Sequence, residues 1–488
     1  MTIADAPVVL TAADLTAAVP VVGHLVNGQV LRSASDFAVI APWSGEEIGR
    51  CPEADADLVE MAVRAAGRAQ PAWAADEAAR RDVLRRIVEV LEENADALGL
   101  ILAAETGKPL HIARGEVAGA AHHVRWYVDR PIPVDTLVDD ENETVQVVRD
   151  PIGVIAAITP WNAPLLMAVN KIAGAFLTGN TVVVKPTPFT PLTTLRLGEL
   201  LADVVPPGVL NVLGGRDETG RLLTLHESVG MVSVTGSVRA GQAIMAQTAP
   251  NLTRLQLELG GNDAAIVLPD VDVAEIAPLV YRGAFALSGQ ICAAIKRLYV
   301  HESIFEEFVG ALVAIAESAR PGAPFEEGVT MGPSTTEPQF ERVRWLIRDA
   351  REHGAVVRTG GDPLDRPGYF HPPTILTGVA EGVAVVDEEQ FGPVLPVMSY
   401  RTVDEAVERA NGTPFGLGSS VWTSDLAEGR RIAGRLRAGG AWVNRHPHVG
   451  PDVPFGGVKN SGLGREGGDA GIDAFSELKT ISVPKRRD

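Results

Sequence analysis

Val229-Gly230-Met231-Val232-Ser233-Val234, continued by Thr235-Gly236-Ser237 and then Gly241, reads as a buried strand, a glycine-containing turn and the start of a helix over Arg239 to Gln247. Runs of the same kind recur at Val154 to Ile158, Thr181 to Lys185, Val209 to Leu213 and Ala264 to Leu268, bounded by Gly and Pro and alternating with helix-length segments. That alternation predicts an α/β fold in which helices wrap a parallel sheet. A helix N-terminus offers unpaired backbone N–H groups and a positive dipole end, and a glycine there lets a phosphate approach closely. The turn departs from the GxGxxG fingerprint, so read locally it serves steric packing and anion binding equally well.

The pattern extends to both sides. Upstream, Asp57 to Arg68 and Glu77 to Leu98 read as amphipathic helices, the second with Val83/Leu84, Ile87/Val88 and Leu91 at helical spacing. Downstream, a second α/β unit opens near Arg297 with Leu298, Tyr299 and Val300. Ser303 is its expected N-cap, with Glu306 three positions on and Phe305, Phe308, Val309 and Leu312 on one face. Helices at Gln339 to His353 and Val403 to Ala410 follow, with short strands at Ala384 to Val386 and Ala441 to Asn444. Thr144 to Arg149 and Lys479 to Val483 alternate like exposed strands outside both units, and unpaired edges of this kind invite pairing with another subunit.

Composition narrows the function classes. The 488 residues carry 62 acidic and 43 basic side chains, a net charge of -19, which disfavours a phosphate backbone or an anionic lipid surface as partner. Neither nucleic acid nor membrane is therefore expected. The longest basic cluster, Lys485, Arg486 and Arg487, reads as a solvated tail. Two cysteines, Cys51 and Cys292, cannot build a disulfide framework and suit a reducing compartment. Met1 to Pro7 lacks a basic segment leading into an apolar one, and no stretch reaches the length of a spanning helix, so a cytoplasmic location is expected.

Three polar residues and one histidine-bearing loop stand out, each with an alternative. Cys292 lies in Ser288-Gly289-Gln290-Ile291-Cys292-Ala293-Ala294, among small or polar neighbours that leave a thiol approachable; an inert buried thiol is the commoner fate, and Cys51 takes it. Glu258, inside Leu255-Gln256-Leu257-Glu258-Leu259-Gly260-Gly261, is a general base if burial raises its pKa, or a strand residue facing solvent if alternation holds. Asn162, in Thr159-Pro160-Trp161-Asn162-Ala163-Pro164, is an oxyanion donor or a turn former. His446 and His448 in Arg445-His446-Pro447-His448 lack a further ligand at metal-binding spacing, so no metal is expected.

Taken jointly, Thr159-Pro160-Trp161-Asn162, Leu257-Glu258-Leu259-Gly260-Gly261, Gly289-Gln290-Ile291-Cys292, Glu389-Gln390-Phe391-Gly392-Pro393 and Pro454-Phe455-Gly456-Gly457-Val458-Lys459-Asn460-Ser461-Gly462 resemble the aldehyde dehydrogenase superfamily, from roughly Val22 to the C-terminus. The resemblance implies two Rossmann-like open-sheet lobes with a small β oligomerisation extension. A dinucleotide-binding domain would comprise residues 1–130 and 151–258, a catalytic domain 259–470, and subunit-pairing strands 131–150 and 471–488. A homodimer or homotetramer is the expected assembly.

The same resemblance implies the chemistry. Cys292 attacks an aldehyde carbonyl, the Asn162 amide and the Cys292 N–H hold the oxyanion, hydride leaves for the nicotinamide, and Glu258 activates the water that hydrolyses the thioester. Relatives that pass the acyl group to coenzyme A typically lack this glutamate, so its presence argues for water as acceptor. Trp161, Lys185, Gly236, Ser237, Glu389 and Phe391 would hold the cofactor. NAD is the first expectation; NADP stays open because Lys185-Pro186-Thr187-Pro188 puts a proline where NAD-preferring members often carry a glutamate. The substrate is expected to be an aromatic or medium-chain aliphatic aldehyde, in a pocket drawn from Met167, Trp126, Tyr127, Ile291 and Ala293. An acyl transferase or esterase acting through Cys292, and a silent scaffold, are the competing readings.

Overall fold

The computed structural model describes residues 11–485; the expectations placed on Met1 to Pro7 and on Arg486 and Arg487 fall outside the described residues. Strands Val154–Ile158, Thr181–Lys185, Leu210–Val212, Met231–Gly236 and Arg254–Leu259 are parallel, and in space the third, second, first, fourth and fifth of them lie side by side. Strand order therefore reverses between Val154–Ile158 and Met231–Gly236. The chain leaves a switch point of this kind in opposite directions and opens a crevice beyond the carboxyl ends of the strands. Thr159 to Asn162 and Gly236-Ser237 emerge there. Helices cover both faces, which is why Val154–Ile158 and Thr181–Lys185 read as near-continuous apolar runs. His24–Val26 with Gln29–Leu31 on one side, and Gly462–Leu463 on the other, extend the sheet antiparallel to eight strands.

A second sheet of seven strands runs in the order Val356–Thr359, Thr374–Thr377, Val394–Tyr400, Ile295–His301, Asp263–Val267, Ser419–Trp422 and Trp442–Val443, parallel except at its first pair. Only Gly260, Gly261 and Asn262 join the last parallel strand of the first sheet to Asp263–Val267. Since Asp263 pairs with Ile295, this joint brings Glu258 and Cys292 to the same place. A Cβ on Gly261 would stand 2.9 Å from the Cys292 carbonyl oxygen and 2.8 Å from Leu417 Cβ, so glycine is required for the approach.

The two isolated strands find each other within the chain. Ser476–Pro484 pairs antiparallel with Glu143–Pro151 along its whole length, and Asp135–Asp139 adds a third strand. Their open edges are thus reduced to the two outer strands, where Leu137 and Leu478 are exposed. Lys485 pairs with Asp139 at 2.7 Å instead of standing free in solvent.

Several elements differ from their sequence reading. The helix expected over Glu77 to Leu98 divides at Asn94 into Glu77–Glu93 and Ala95–Thr106. The helix expected to end at Arg68 spans Ala56–Ala75 and runs past Pro71, its far end held by Trp73, whose indole N–H donates to the Asn180 carbonyl. Ser303 is not an N-cap: a 3-10 turn over Glu302–Ile304 precedes the helix Phe305–Ser318, and the His301 ring accepts from the Ser303 N–H. Ala384 to Val386, read as a strand for its valines, is a helical turn, Ala384–Asp387, whose Val386 carbonyl accepts from the Asn262 amide.

Candidate active site

The crevice deepens into a cavity of about 680 Å³ whose wall includes Asn162, Glu258 and Cys292 together with Lys185, Gly236 and Ser237. Trp161 and Phe391 also line it, meeting edge to face at 5.1 Å, as does Glu389. All nine residues singled out in the sequence thus face one cavity.

Strained backbone presents Cys292. Leu287, Ser288 and Gly289 have φ of 50°, 58° and 73°, a conformation that costs non-glycine residues on the order of 1–3 kcal/mol each and clusters at functional sites. The turn is pinned by Ser288 Oγ donating to the Gly332 carbonyl and by Gln290 donating to Pro333 and accepting from the Thr335 N–H. Behind it, Lys296 Nζ donates to the carbonyls of Ile291 and Cys292. Asn162 Nδ2 donates to the Gln290 carbonyl at 2.8 Å, leaving its second N–H free. The backbone N–H of Cys292 has no acceptor among the described residues, so it and the second Asn162 N–H are both unengaged.

The electrostatics favour proton storage. Glu258 is 3% exposed and its Oε1 has no hydrogen-bond partner. Burial, with Glu466 nearby, pushes its carboxyl up to about 8, opposed by the Cys292 thiol and by Lys171. The thiol itself is raised well above its ordinary range by burial and by Glu258, with Lys296 pulling the other way. Cys51, by contrast, is buried away from the cavity and pushed up to about 12 by burial.

Two buried ion pairs supporting the site escaped the sequence reading. Lys108 pairs with Glu116 and donates to the Asn162 carbonyl, while Glu116 accepts the N–H groups of Leu165 and Leu166 and so fixes the loop carrying Asn162. Lys171 pairs with Glu466 at 2.6 Å and donates to Ser233, which donates to Gln256. A lysine within the apolar helix Pro164–Leu177 was the available signal for the second. Since Glu466 helps hold the Glu258 proton, Glu466→Gln is expected to move the acid limb of any Glu258-dependent rate to lower pH, by roughly half a unit or more; a pH–rate profile of the variant checks this.

Trp126 and Tyr127 do not reach the cavity. Tyr127 is 1% exposed and packs beside Gly174 and Gly471, while Trp126 lies under the Arg130 guanidinium at 5.1 Å. On the same helix, Leu110–Val128, it is His123 that lines the wall, with Nδ1 2.9 Å from the Gly119 carbonyl. Met167, Ile291 and Ala293 line it as expected, joined by Pro447 and Val449. His446 turns inward, Nε2 3.1 Å from the Ala293 carbonyl, and supports the Cys292 loop from behind. Among the described residues no cluster of three His, Cys, Asp or Glu side chains is placed to hold a metal ion, and no helix is long and apolar enough to cross a membrane.

The wall formed by Lys185, Gly236 and Ser237 fits a dinucleotide. A Cβ on Gly236 would meet only Val234 Cγ1, at 3.9 Å. The Ser237 hydroxyl caps Ala240 alone, which leaves the Val238 and Arg239 amides for an anion at the start of the helix Val238–Thr248. Lys185 is 4% exposed, its ammonium without an acceptor among the described residues, and burial lowers its pKa to about 8.

Comparison with known proteins agrees with this geometry. A model of the aldehyde dehydrogenase family matches residues 30–481. The phenylacetaldehyde dehydrogenase of Pseudomonas fluorescens is 38% identical over 94% of this chain and 95% of its own length, and the betaine aldehyde dehydrogenase of Cereibacter sphaeroides 35% identical over 95% and 97%. The NAD+ complex of an aldehyde dehydrogenase from Bacillus cereus superposes with a TM-score of 0.94 at 31% identity, covering 98% of this chain and 100% of that one.

Proposed function

We propose a reaction path for a chain that belongs to the aldehyde dehydrogenase family: Cys292 captures the aldehyde, and Glu258 handles the protons of capture and of hydrolysis. The carrying observation is that the thiol and the buried carboxyl line one cavity, the carboxyl raising the thiol pKa and the thiol lowering that of the carboxyl, with a carboxylate oxygen of Glu258 left unpartnered. Once Glu258 is ionised it takes the thiol proton as the sulfur bonds the carbonyl carbon. Negative charge on the former carbonyl oxygen is met by the free N–H of Asn162 and the Cys292 backbone N–H. Asn162→Ala is therefore expected to lower kcat by about 10²–10³-fold with a small change in dinucleotide affinity, measurable by steady-state kinetics and a binding titration.

When bound, the nicotinamide ring supplies the two-electron acceptor that converts the cysteine adduct to a thioester. Lys185 would hold the adenosine ribose, Gly236 and Ser237 the pyrophosphate, and Trp161, Glu389 and Phe391 the nicotinamide end. Glu389 Oε1 accepts from the Gly261 N–H at 2.9 Å and lies 3.4 Å from Lys296 Nζ, a position from which its other oxygen remains available to a ribose. Glu258 first releases the thiol proton to solvent and then, as carboxylate, draws a proton from water, whose oxygen bonds the thioester carbon; the carbon–sulfur bond breaks, returning Cys292 as thiolate and freeing the carboxylic acid.

The wall around Cys292 suits an aromatic or medium-chain aliphatic aldehyde: Leu166, Met167, Ile291, Val449 and Phe455 are apolar. A quaternary ammonium is recognised by several aromatic faces, and at this end Phe455 supplies one. The exposed strand edges of the three-stranded sheet support a homodimer or homotetramer. The reading is tested by an aldehyde panel with NAD and NADP, following reduced-nicotinamide absorbance and the acid formed; folded protein that turns over no aldehyde with either cofactor refutes it.

A further inference from the structure

We propose that Asp217 makes the cofactor site selective for NAD over NADP, taking the role of the carboxylate that Pro188 cannot supply. The inference rests on the dinucleotide reading of the cavity given above. Pro188 borders the cavity beside Lys185 and Thr187 but offers neither an acceptor for a ribose diol nor a charge against a 2′-phosphate. Asp217 enters the same region from another element, as the first residue of the helix Asp217–Leu225.

Two observations place its carboxylate opposite Lys185. The lysine Cε lies 3.9 Å from where a Cβ on Gly220 would stand, and Gly220, three residues after Asp217, shares its helix face. Asp217 is also the foremost of the charges that oppose the fall in the Lys185 pKa, ahead of Cys51 and Glu53. The ammonium is buried without an acceptor, and the exposed Asp217 carboxylate has no hydrogen bond or ion pair among the described residues. A donor lacking its acceptor and an acceptor lacking its donors, facing one another across a gap, match a vicinal diol that both gives and receives hydrogen bonds.

The neighbouring charges are engaged elsewhere. Glu218 is held by Arg221 through two hydrogen bonds of 2.8 and 2.7 Å. Arg216, the guanidinium nearest in sequence, lies over the Phe37 ring at 4.5 Å and 3.6 Å from Glu53. Lys185 and the helix N-terminus by themselves would welcome a 2′-phosphate of about -1.5 to -2 charge. Asp217 is the group that reverses the preference, by repulsion and by losing its diol donor.

The test is calorimetric titration of NAD and NADP into wild-type protein, Asp217→Asn and Asp217→Glu, with no aldehyde present. Expected are tighter NAD than NADP binding in the wild type, a change of roughly tenfold or more in the affinity ratio toward NADP in Asp217→Asn, and a ratio in Asp217→Glu between the two. A wild type that binds NADP as tightly as NAD, or an Asp217→Asn ratio equal to that of the wild type, overturns the proposal while leaving the dehydrogenase reading in place. Binding of neither dinucleotide to folded wild-type protein overturns both.

Discussion

Cys292→Ala is expected to abolish aldehyde oxidation, with a fall in kcat on the order of 10⁴-fold or more, while dinucleotide affinity and the thermal unfolding profile stay near those of the parent. The sulfur is the atom that forms the covalent bond, and neither Asn162 nor the Cys292 N–H can substitute for it. Cys292→Ser should fare little better, because a hydroxyl in a site that already raises a thiol pKa is harder still to ionise. Mass spectrometry of wild-type protein quenched during turnover should show an acyl adduct on the peptide bearing Cys292, absent from both variants. A rate within tenfold of the parent in Cys292→Ala would put the nucleophile elsewhere.

Glu258→Gln should lower turnover by about 10²–10⁴-fold and, unusually for a buried substitution, raise stability in alkaline solution. The carboxyl has a folded-state pKa of about 8 against an ordinary 4.5. Between those values the folded chain retains a proton that the unfolded chain has released, so stability falls as pH rises through that interval and stays low above it. Glutamine removes the slope. Its gain in apparent melting temperature should be largest above about pH 8 and vanish near pH 4.5, in a pair of melting curves recorded across that range. In the wild type, kcat/KM should rise through about pH 8 as Glu258 ionises, and that limb should be missing from the residual activity of the variant. Equal melting temperatures for the two proteins at every pH would contradict a buried, proton-holding Glu258.

The central strands were legible because parallel strands covered on both faces leave an unbroken apolar signature, and their observed ends fall within two residues of the reading at Val154–Ile158, Thr181–Lys185 and Met231–Gly236. Ala384–Asp387 misled because β-branched residues carry a strand preference that a tertiary contact to Asn262 overrides. Within the site, Asn162, Glu258 and Cys292 were each ambiguous until read together, since closeness in space depends on strand register and a three-residue joint. Lys171 with Glu466 left only a lysine in an apolar helix as its trace, since an ion pair formed across 295 residues has no spacing to recognise; Lys108 and Glu116, 8 residues apart, carry no pattern that marks them as buried. Tyr127, expected in the pocket wall, is core filler, and His123, one helical turn away, lines the cavity instead, because helix periodicity gives a face but not the depth at which each residue meets its neighbours.

The Gly260-Gly261-Asn262 connection carries one more implication. Surface loops absorb insertions at small entropic expense, but this tether has no slack. One extra residue would add up to about 3.5 Å of chain, enough to carry the proton acceptor out of reach of the sulfur while both sheets stayed intact. Protein lengthened there should fold, bind its dinucleotide and do no chemistry, so the tether works as a molecular ruler between the two sheets.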